Sequence, residues 1–358
     1  MRIAILGYGT VGKGVYDIIT ENNLSYIEII KILRKMGSKK DLPIITDNFN
    51  DIINDDSIDT IVECLGGLDP AYKYVKEALL RGKNVVSSNK LLIATHYDEL
   101  LKLSYDKNVY LLFEASVGGG VPWLENLSRI ADIDKVTGYK GIINATVNFI
   151  LYKMTTESIE FDDVLKEAQR LGYAEQDPSS DIDGDDVLYK TIISANVASR
   201  KSFAMDNILK FGIRFLTKDD IDFFKENKLV VKLISEYDAD TKTIMVMPEL
   251  FKLNKAIAHV ELNNNYMDIY CKTEGKLSLE GQGAGRYPTA HSVVQDLVHI
   301  HDKYKKMPLT LEKVYVNYND FKNKFYIKKK GEKGKFVDGI TINELKENNI
   351  LFLAKVNE

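Results

Sequence analysis

Residues 172–190 read GYAEQDPSSDIDGDDVLYK, crowding Glu175, Asp177, Asp181, Asp183, Asp185 and Asp186 ahead of Lys190. Charge at that density suits a polar active site better than an ordinary surface loop. Asp186 and Lys190 stand four apart at the start of a run whose apolar positions, Val187, Leu188, Ile192 and Ile193, have helical spacing, so on a helix they project from one face. A carboxylate and an amine that point together can move a proton and steady negative charge developing on an oxygen. Glu175, in a turn closed by Asp177-Pro178, can face the same point from a loop. An ordinary intrahelical ion pair, contributing only ~0.3 to 0.5 kcal/mol, accounts for the spacing equally well. The rest of the chain has to decide.

The elements that must position these groups begin at the N-terminus. Arg2 to Leu6 is a short apolar strand pattern feeding Gly7-Tyr8-Gly9-Thr10-Val11-Gly12 and then the helical pattern Val11, Val15, Ile18, Ile19. Each glycine has its own reason: Gly7 for the tight turn, Gly9 for close approach of backbone to a pyrophosphate, Gly12 for packing of helix on strand. The helix N-terminus offers its N–H groups and dipole to the phosphates, so the segment predicts NAD or NADP. The second strand is expected at Tyr26 to Leu33, with Glu28 at its entry. At its exit, where NAD-selective proteins place a ribose-binding carboxylate, stand Arg34 and Lys35, which either hold the 2'-phosphate of NADP or begin a basic loop running to Lys39 and Lys40.

Further short runs at Thr60 to Leu65 and Asn84 to Ser87, separated by a helical pattern from Ala71 to Leu80, predict a parallel, doubly wound sheet. Lys90, in Ser87-Ser88-Asn89-Lys90, then lies where a strand meets the next helix, the end of such a sheet where ligands bind. A strand from Val109 to Ala115 leads into Ser116-Val117-Gly118-Gly119-Gly120-Val121-Pro122, followed by a helix from Trp123 to Ile130. With Glu114 beside it, the loop can offer oxygen ligands to a hard cation; a plain hinge fits the same glycines. From Lys135 the pattern becomes α+β, with strands expected at Leu229 to Glu236, Thr243 to Met247, Ala256 to Glu261 and Tyr266 to Cys271. Gly281-Gln282-Gly283-Ala284-Gly285 then opens a helix from Ala290 to His301, which is expected to return to the first domain.

Composition narrows the function. A chain of 358 residues with 45% hydrophobic content can bury two or three domains. Its 48 basic and 52 acidic residues are dispersed, without the basic stripe that nucleic acid requires. Cys64 and Cys271 are too far apart for a metal-ligand motif, and no segment has the makings of a signal peptide or a membrane span, so a reducing, cytoplasmic setting is expected. The five histidines are scattered, which leaves lysine and carboxylate to handle a proton.

Six segments in order resemble the homoserine dehydrogenase family: GYGTVGKGV at 7–15, SSNKLLIA at 87–94, FEASVGGGVPW at 113–123, GIINATVNFILYKM at 141–154, LGYAEQDPSSDIDGDDVLYK at 171–190 and GQGAGRYPTAHSVVQDL at 281–297. The resemblance covers residues 1 to about 302. It implies cofactor contacts at Gly7, Gly9, Thr10, Val11, Ser88 and Lys90, with Gly283 closing the site from the late glycine loop. By the same resemblance Lys90 and Lys190 flank the reacting oxygen, Asp186 orients or polarises the chemistry, and Glu175 and Asp181 hold the substrate ammonium. The family's monovalent-cation loop maps onto Glu114 and the carbonyls of Val117, Gly119 and Val121, which turns the reading away from a hinge. Three positions depart from the family pattern: Ala145 where glycine is usual, Asp185 where an aromatic is common, and His291. Ala145 is expected to narrow the substrate pocket.

The expected fold is α/β: a Rossmann-like doubly wound domain over residues 1–134, completed by the helix at 286–302, and an α+β catalytic and dimerisation domain over 135–285. Residues 303–358 are too short for the regulatory ACT domain common in the family and are expected as a truncated or diverged appendage. The expected function is the interconversion of L-homoserine and L-aspartate 4-semialdehyde with NADP or NAD, in threonine and methionine biosynthesis, by a homodimer. The rival readings are a related amino-acid dehydrogenase and a catalytically inert NAD(P)-binding regulator.

Overall fold

A computed structural model describes residues 1–38, 42–309, 312–318, 321–346 and 349–357; Lys39 and Lys40, named in the basic loop after the second strand, lie outside the described residues. The chain divides into two compact units, one of residues 1–128, 200–202 and 284–312, the other of 129–199, 203–283 and 313–358.

The first unit is a parallel sheet. Strands β1 (Arg2–Leu6), β2 (Glu28–Leu33), β3 (Ile45–Thr46), β4 (Thr60–Glu63), β5 (Asn84–Ser87) and β6 (Leu111–Leu112) lie in the order β3-β2-β1-β4-β5-β6. The helices α1 (Thr10–Glu21), α2 (Ala71–Leu80), α3 (Lys90–Asp106) and α4 (Trp123–Ala131) follow β1, β4, β5 and β6 respectively. β1 and β4 are buried on both faces, which is why they read as continuous apolar runs rather than alternating ones. The late helix Arg286–His301 packs on α1, and Ala290, Val293, Val294 and Leu297 join Ile3, Ile5, Val15 and Ile19 in one core. Gly14 permits that contact, since a Cβ there would come within 2.8 Å of the Ala290 side chain. The strand expected at Val109 to Ala115 is only Leu111–Leu112; Glu114 instead opens a single 3-10 turn, Glu114–Ser116.

The second unit is built on one mixed sheet of nine strands among the described residues. In chain order its main elements are β7 (Val136–Ile142), α5 (Ala145–Glu157), α6 (Phe161–Arg170), α7 (Asp185–Ser199), α8 (Lys218–Glu226), β8 (Leu229–Asp238), β9 (Thr243–Lys252), β10 (Asn264–Cys271), β11 (Lys276–Gln282), β12 (Lys322–Lys329), β13 (Lys335–Thr341) and β14 (Ile350–Val356). The strand order is β11-β10-β7-β8-β9-β14-β12-β13, with Leu209–Lys210 pairing on β9. The C-terminal residues therefore do not stand apart as an appendage: β14 runs parallel to β9, pairing Lys355 with Glu249, and β12 and β13 continue the same sheet. Ala256 to Glu261, expected as a strand, is a 3-10 turn over Ala256–His259, while the unforeseen β11 forms a hairpin with β10. No helix among the described residues is long and apolar enough to cross a membrane.

Candidate active site

At the end of β1 the three glycines have three different surroundings. Gly7 takes φ +96, and a Cβ on it would approach the Cys64 carbonyl oxygen to 2.6 Å; a Cβ on Gly12 would run into the Gly7 carbonyl. At Gly9 a Cβ would meet nothing within 4 Å. Protein closes the first two positions, whereas the third opens on space that a phosphate can fill. α1 begins at Thr10 with no side-chain cap, so Thr10, Val11 and Gly12 present main-chain N–H groups there. The turn fits a dinucleotide pyrophosphate. Arg34 leaves β2 with its guanidinium carbon 5.8 Å from the Tyr8 ring, and the Lys13 amine lies at the same distance from that ring, while Lys35 is exposed. Glu28 sits at the entry of β2, paired with Arg2 at 3.1 Å, far along the strand from the glycine turn.

Sequence reasoning missed the group that organises the adjacent strand ends. Glu63, fully buried at the last position of β4, accepts from the Ser87 hydroxyl at 2.6 Å and the Leu65 N–H at 2.8 Å. Burial pushes its carboxyl above the usual range, partly offset by those hydrogen bonds. Ser88 donates its main-chain N–H to the Glu63 carbonyl, and Asn89 caps α3 by accepting from Leu92 N–H while its amide donates to Gly67 O at 2.6 Å. Lys90 is thus delivered as the first residue of α3 from a fixed turn. The signal available in the sequence was a lone acid ending an apolar run, Ile61-Val62-Glu63, just before Gly66-Gly67.

The glycine loop holds a second buried acid. Glu114 accepts N–H bonds from Leu124 at 2.9 Å and Glu125 at 2.7 Å, so its carboxylate sits against the start of α4. Asp296 accepts the Glu114 main-chain N–H at 3.0 Å. Burial, and then the Asp296 charge, push the Glu114 carboxyl well above its ordinary value; burial pushes Asp296 up to about 8. Val117, Gly119 and Val121 are buried along the loop, with Gly119 at φ +62 and its carbonyl accepting from the Ser292 hydroxyl at 2.7 Å. The residues fit a hard cation chemically, since they offer a carboxylate and main-chain oxygens alone, and the titratable groups that act on Glu114, Asp296 and Glu125, are both acids.

In the second unit the acidic segment sorts itself. Asp183 forms a two-pronged pair with Arg214 at 2.7 and 2.6 Å, Asp185 pairs with Lys210, and Asp177 accepts the Ser179 N–H at 3.1 Å. These three acids hold the fold. Asp181 and Asp186 are joined instead through Asn144, whose amide donates to the first at 2.7 Å and to the second at 2.8 Å. Asn144 also caps α5, accepting from Val147 N–H at 2.8 Å, so the helix start fixes its orientation. Lys190 lies 2.8 Å from Asp186 and donates to the Ile143 carbonyl at 2.9 Å, with only 13% of its side chain exposed. The pair is the intrahelical one that the spacing allowed, but it is enclosed rather than solvated. Glu175 stays exposed on its turn, where its carbonyl accepts from Gln169 at 3.1 Å; among the described residues no hydrogen bond ties its carboxylate to the Asn144 cluster. Gly283, at the exit of β11, abuts the buried Asn265 side chain, into which a Cβ would run.

Two family models match the chain: the NAD-binding domain of homoserine dehydrogenase over residues 7–114 and homoserine dehydrogenase over residues 122–298. The chain is 36% identical to the homoserine dehydrogenase of Bacillus subtilis over 314 residues, which span 84% of this chain and 72% of that protein. The chain belongs to the homoserine dehydrogenase family. Family members are NAD(P)-dependent oxidoreductases acting on a CH–OH group, and this chain is one of them. The crystal structure of a homoserine dehydrogenase from Thiobacillus denitrificans matches with a TM-score of 0.86 at 31% identity, covering 91% of this chain and 82% of that one. A hyperthermophilic archaeal homoserine dehydrogenase in complex with NADPH matches with a TM-score of 0.74 at 26% identity, over 86% of this chain and 99% of that one.

Proposed function

We propose that the chain interconverts L-homoserine and L-aspartate 4-semialdehyde, with Lys190 serving the reacting oxygen and Asp186 holding Lys190 in place. The enclosed Asp186–Lys190–Ile143 arrangement carries this reading. An ammonium has three N–H donors; two are taken by Asp186 and the Ile143 carbonyl, so the third is available to an oxygen that alternates between alcohol and carbonyl. The nicotinamide supplies or accepts the hydride when bound. Asp181, oriented by Asn144, suits the substrate ammonium, and Glu175, exposed on its turn, is the second carboxylate for the same group. Lys90 and Ser88, presented at the end of β5, belong to the cofactor side of the reaction, as do Gly7, Gly9, Thr10, Val11, Gly12 and Gly283. Arg34 and Lys35 favour NADP. Glu114 with the carbonyls of Val117, Gly119 and Val121 holds a sodium or potassium ion. The working form in this reading is a homodimer serving threonine and methionine biosynthesis.

The deciding measurement is oxidation of NADPH or NADH with L-aspartate 4-semialdehyde. Turnover above the enzyme-free control is expected from the wild type, and Lys190→Ala should lower kcat by ~10²-fold or more with little change in cofactor affinity. Asp186→Asn should act on the same step, the double variant losing far less than the product of the single losses. A catalytically inert NAD(P)-binding regulator would show no wild-type turnover, and a related amino-acid dehydrogenase would turn over a different substrate. Near-normal kcat in a folded Lys190→Ala protein would remove Lys190 from the mechanism.

A further inference from the structure

Asn265 lies on β10 with no exposed surface, and among the described residues neither its amide oxygen nor its amide nitrogen has a hydrogen-bond partner. A fully buried amide left unpaired on both atoms costs the fold free energy, because water is withdrawn and nothing replaces it. An apolar residue would pack there without that cost.

Its surroundings are those of the reaction site. The hydroxyl of Tyr139 on β7 donates to Thr191 O on α7, so the face of β7 that carries Tyr139 and Gly141 is the face toward α7. Met267 on β10 pairs with Gly141, and side chains alternate along a strand, so Met267 and Asn265 share that face. Asn265 lies one residue beyond the last rung of the β7–β10 ladder, Tyr266 with Ile142, at the level of Ile143, whose carbonyl holds Lys190. On its other side Asn265 pairs with Gly281, and Gly283 is the residue against which its amide rests. Glycine at 283 leaves bare main chain directly against the amide.

We propose that Asn265 is a positioning residue for the reaction, its amide hydrogen-bonding the main chain of Gly281–Gly283 when the reactants are bound and so fixing that segment beside the Lys190 anchor. The free chain bears an unpaired amide, and the bound chain relieves it. Ligand binding is thereby coupled to the order of the segment. The inference rests on the activity proposed above, so wild-type turnover is measured first: its absence removes that activity, whereas turnover in the wild type with unaltered Asn265 variants removes only this proposal.

The experiment compares wild type with Asn265→Leu, and with Asn265→Ser as the smaller polar replacement. NADPH together with L-homoserine gives a dead-end pair that binds without turning over, and thermal melts are taken with and without it. Asn265→Leu is expected to melt at or above the wild-type temperature when unliganded, yet to show a smaller ligand-induced rise and a KM for L-homoserine about tenfold higher, with kcat less affected. Asn265→Ser should recover part of the KM. A purely structural amide predicts the opposite pattern, a lower unliganded melting temperature with KM and ligand shift within about twofold of wild type, and that result overturns the proposal. Should Asn265→Leu fail to fold, Asn265→Ala carries the same comparison.

Discussion

Asn144 does at residue scale what the acidic segment cannot do alone. Its carbonyl oxygen is consumed in capping α5, which aims the amide nitrogen at Asp181 and Asp186 together. Arg214 and Lys210 meanwhile remove Asp183 and Asp185 from the chemistry, and the Arg214 guanidinium holds the Asp183 carboxyl below the usual range. The pair Asp186 and Lys190 was legible in the sequence because helix period is local. Asn144, 42 residues from Asp186, was not, because its partnership exists only once the fold brings the start of α5 beside Asp186. The same distinction applies to cofactor choice, where Arg34 is legible as the residue after β2 but its task is not. If Arg34 bonds a 2'-phosphate, Arg34→Ala should weaken NADP(H) about tenfold, the loss expected for one charge-assisted hydrogen bond, and leave NAD(H) within about twofold. Dissociation constants for both cofactors check this; equal losses would assign Arg34 to a solvated loop packed by Tyr8.

At the scale of elements, β1, β4, β5, α2 and α4 stood out in the sequence because strands buried on both faces leave unbroken apolar runs and their helices leave a 3.6-residue stripe. The failures have physical causes. β11 is a sheet-edge strand whose exposed positions are Lys276, Ser278, Glu280 and Gln282, so its sequence carries half the apolar signal of an inner strand. Glu114 was expected at the end of a strand and instead starts a 3-10 turn, which lets its carboxylate reach the N–H groups of α4. That contact makes Glu114 a cap for α4 whether or not a cation binds, and the two tasks can be separated. If the loop carbonyls complete a cation site, exchanging choline for sodium or potassium at constant ionic strength should raise the melting temperature or activity of the wild type. Glu114→Gln, which keeps an acceptor for α4 but loses the charge, should abolish the response. An indifferent wild type would leave Glu114 as a cap alone.

Over the whole molecule, the second unit places its charge inside the sheet that organises it. Lys140 on β7, Glu236 on β8, Glu249 on β9 and Lys355 on β14 form one ion network, with Lys140 2.9 Å from Glu249 and Lys355 3.0 Å from Glu249, and Asn357 donating to Glu249 at 2.8 Å. These contacts bind the C-terminal strands to the rest of the second unit, a tertiary role that the lysine-rich sequence around 328–335 concealed. Lys232, on the same face of β8 four residues from Glu236, has no carboxylate within hydrogen-bond reach among the described residues: it donates to Asn148 Oδ1 at 3.0 Å and Val260 O at 2.6 Å while only 2% exposed. Burial lowers its amine from 10.5 to about 8. The folded chain therefore releases this proton before the unfolded chain does, and between pH 8 and 10.5 the unfolded state binds more protons, so stability rises with pH across that window and is lowest below it. At 1.36 kcal/mol per unit the shift corresponds to roughly 3 kcal/mol. Lys232→Met keeps the length of the side chain without the charge, so the stability difference between wild type and Lys232→Met should move in favour of wild type as pH climbs from 8 to 10.5. Taking the difference cancels the titration of every other lysine and tyrosine. Urea unfolding of both proteins at several pH values reads it directly, and parallel curves would mean that Lys232 stays charged in the fold, with the Asn148 and Val260 oxygens sufficient to hold it so.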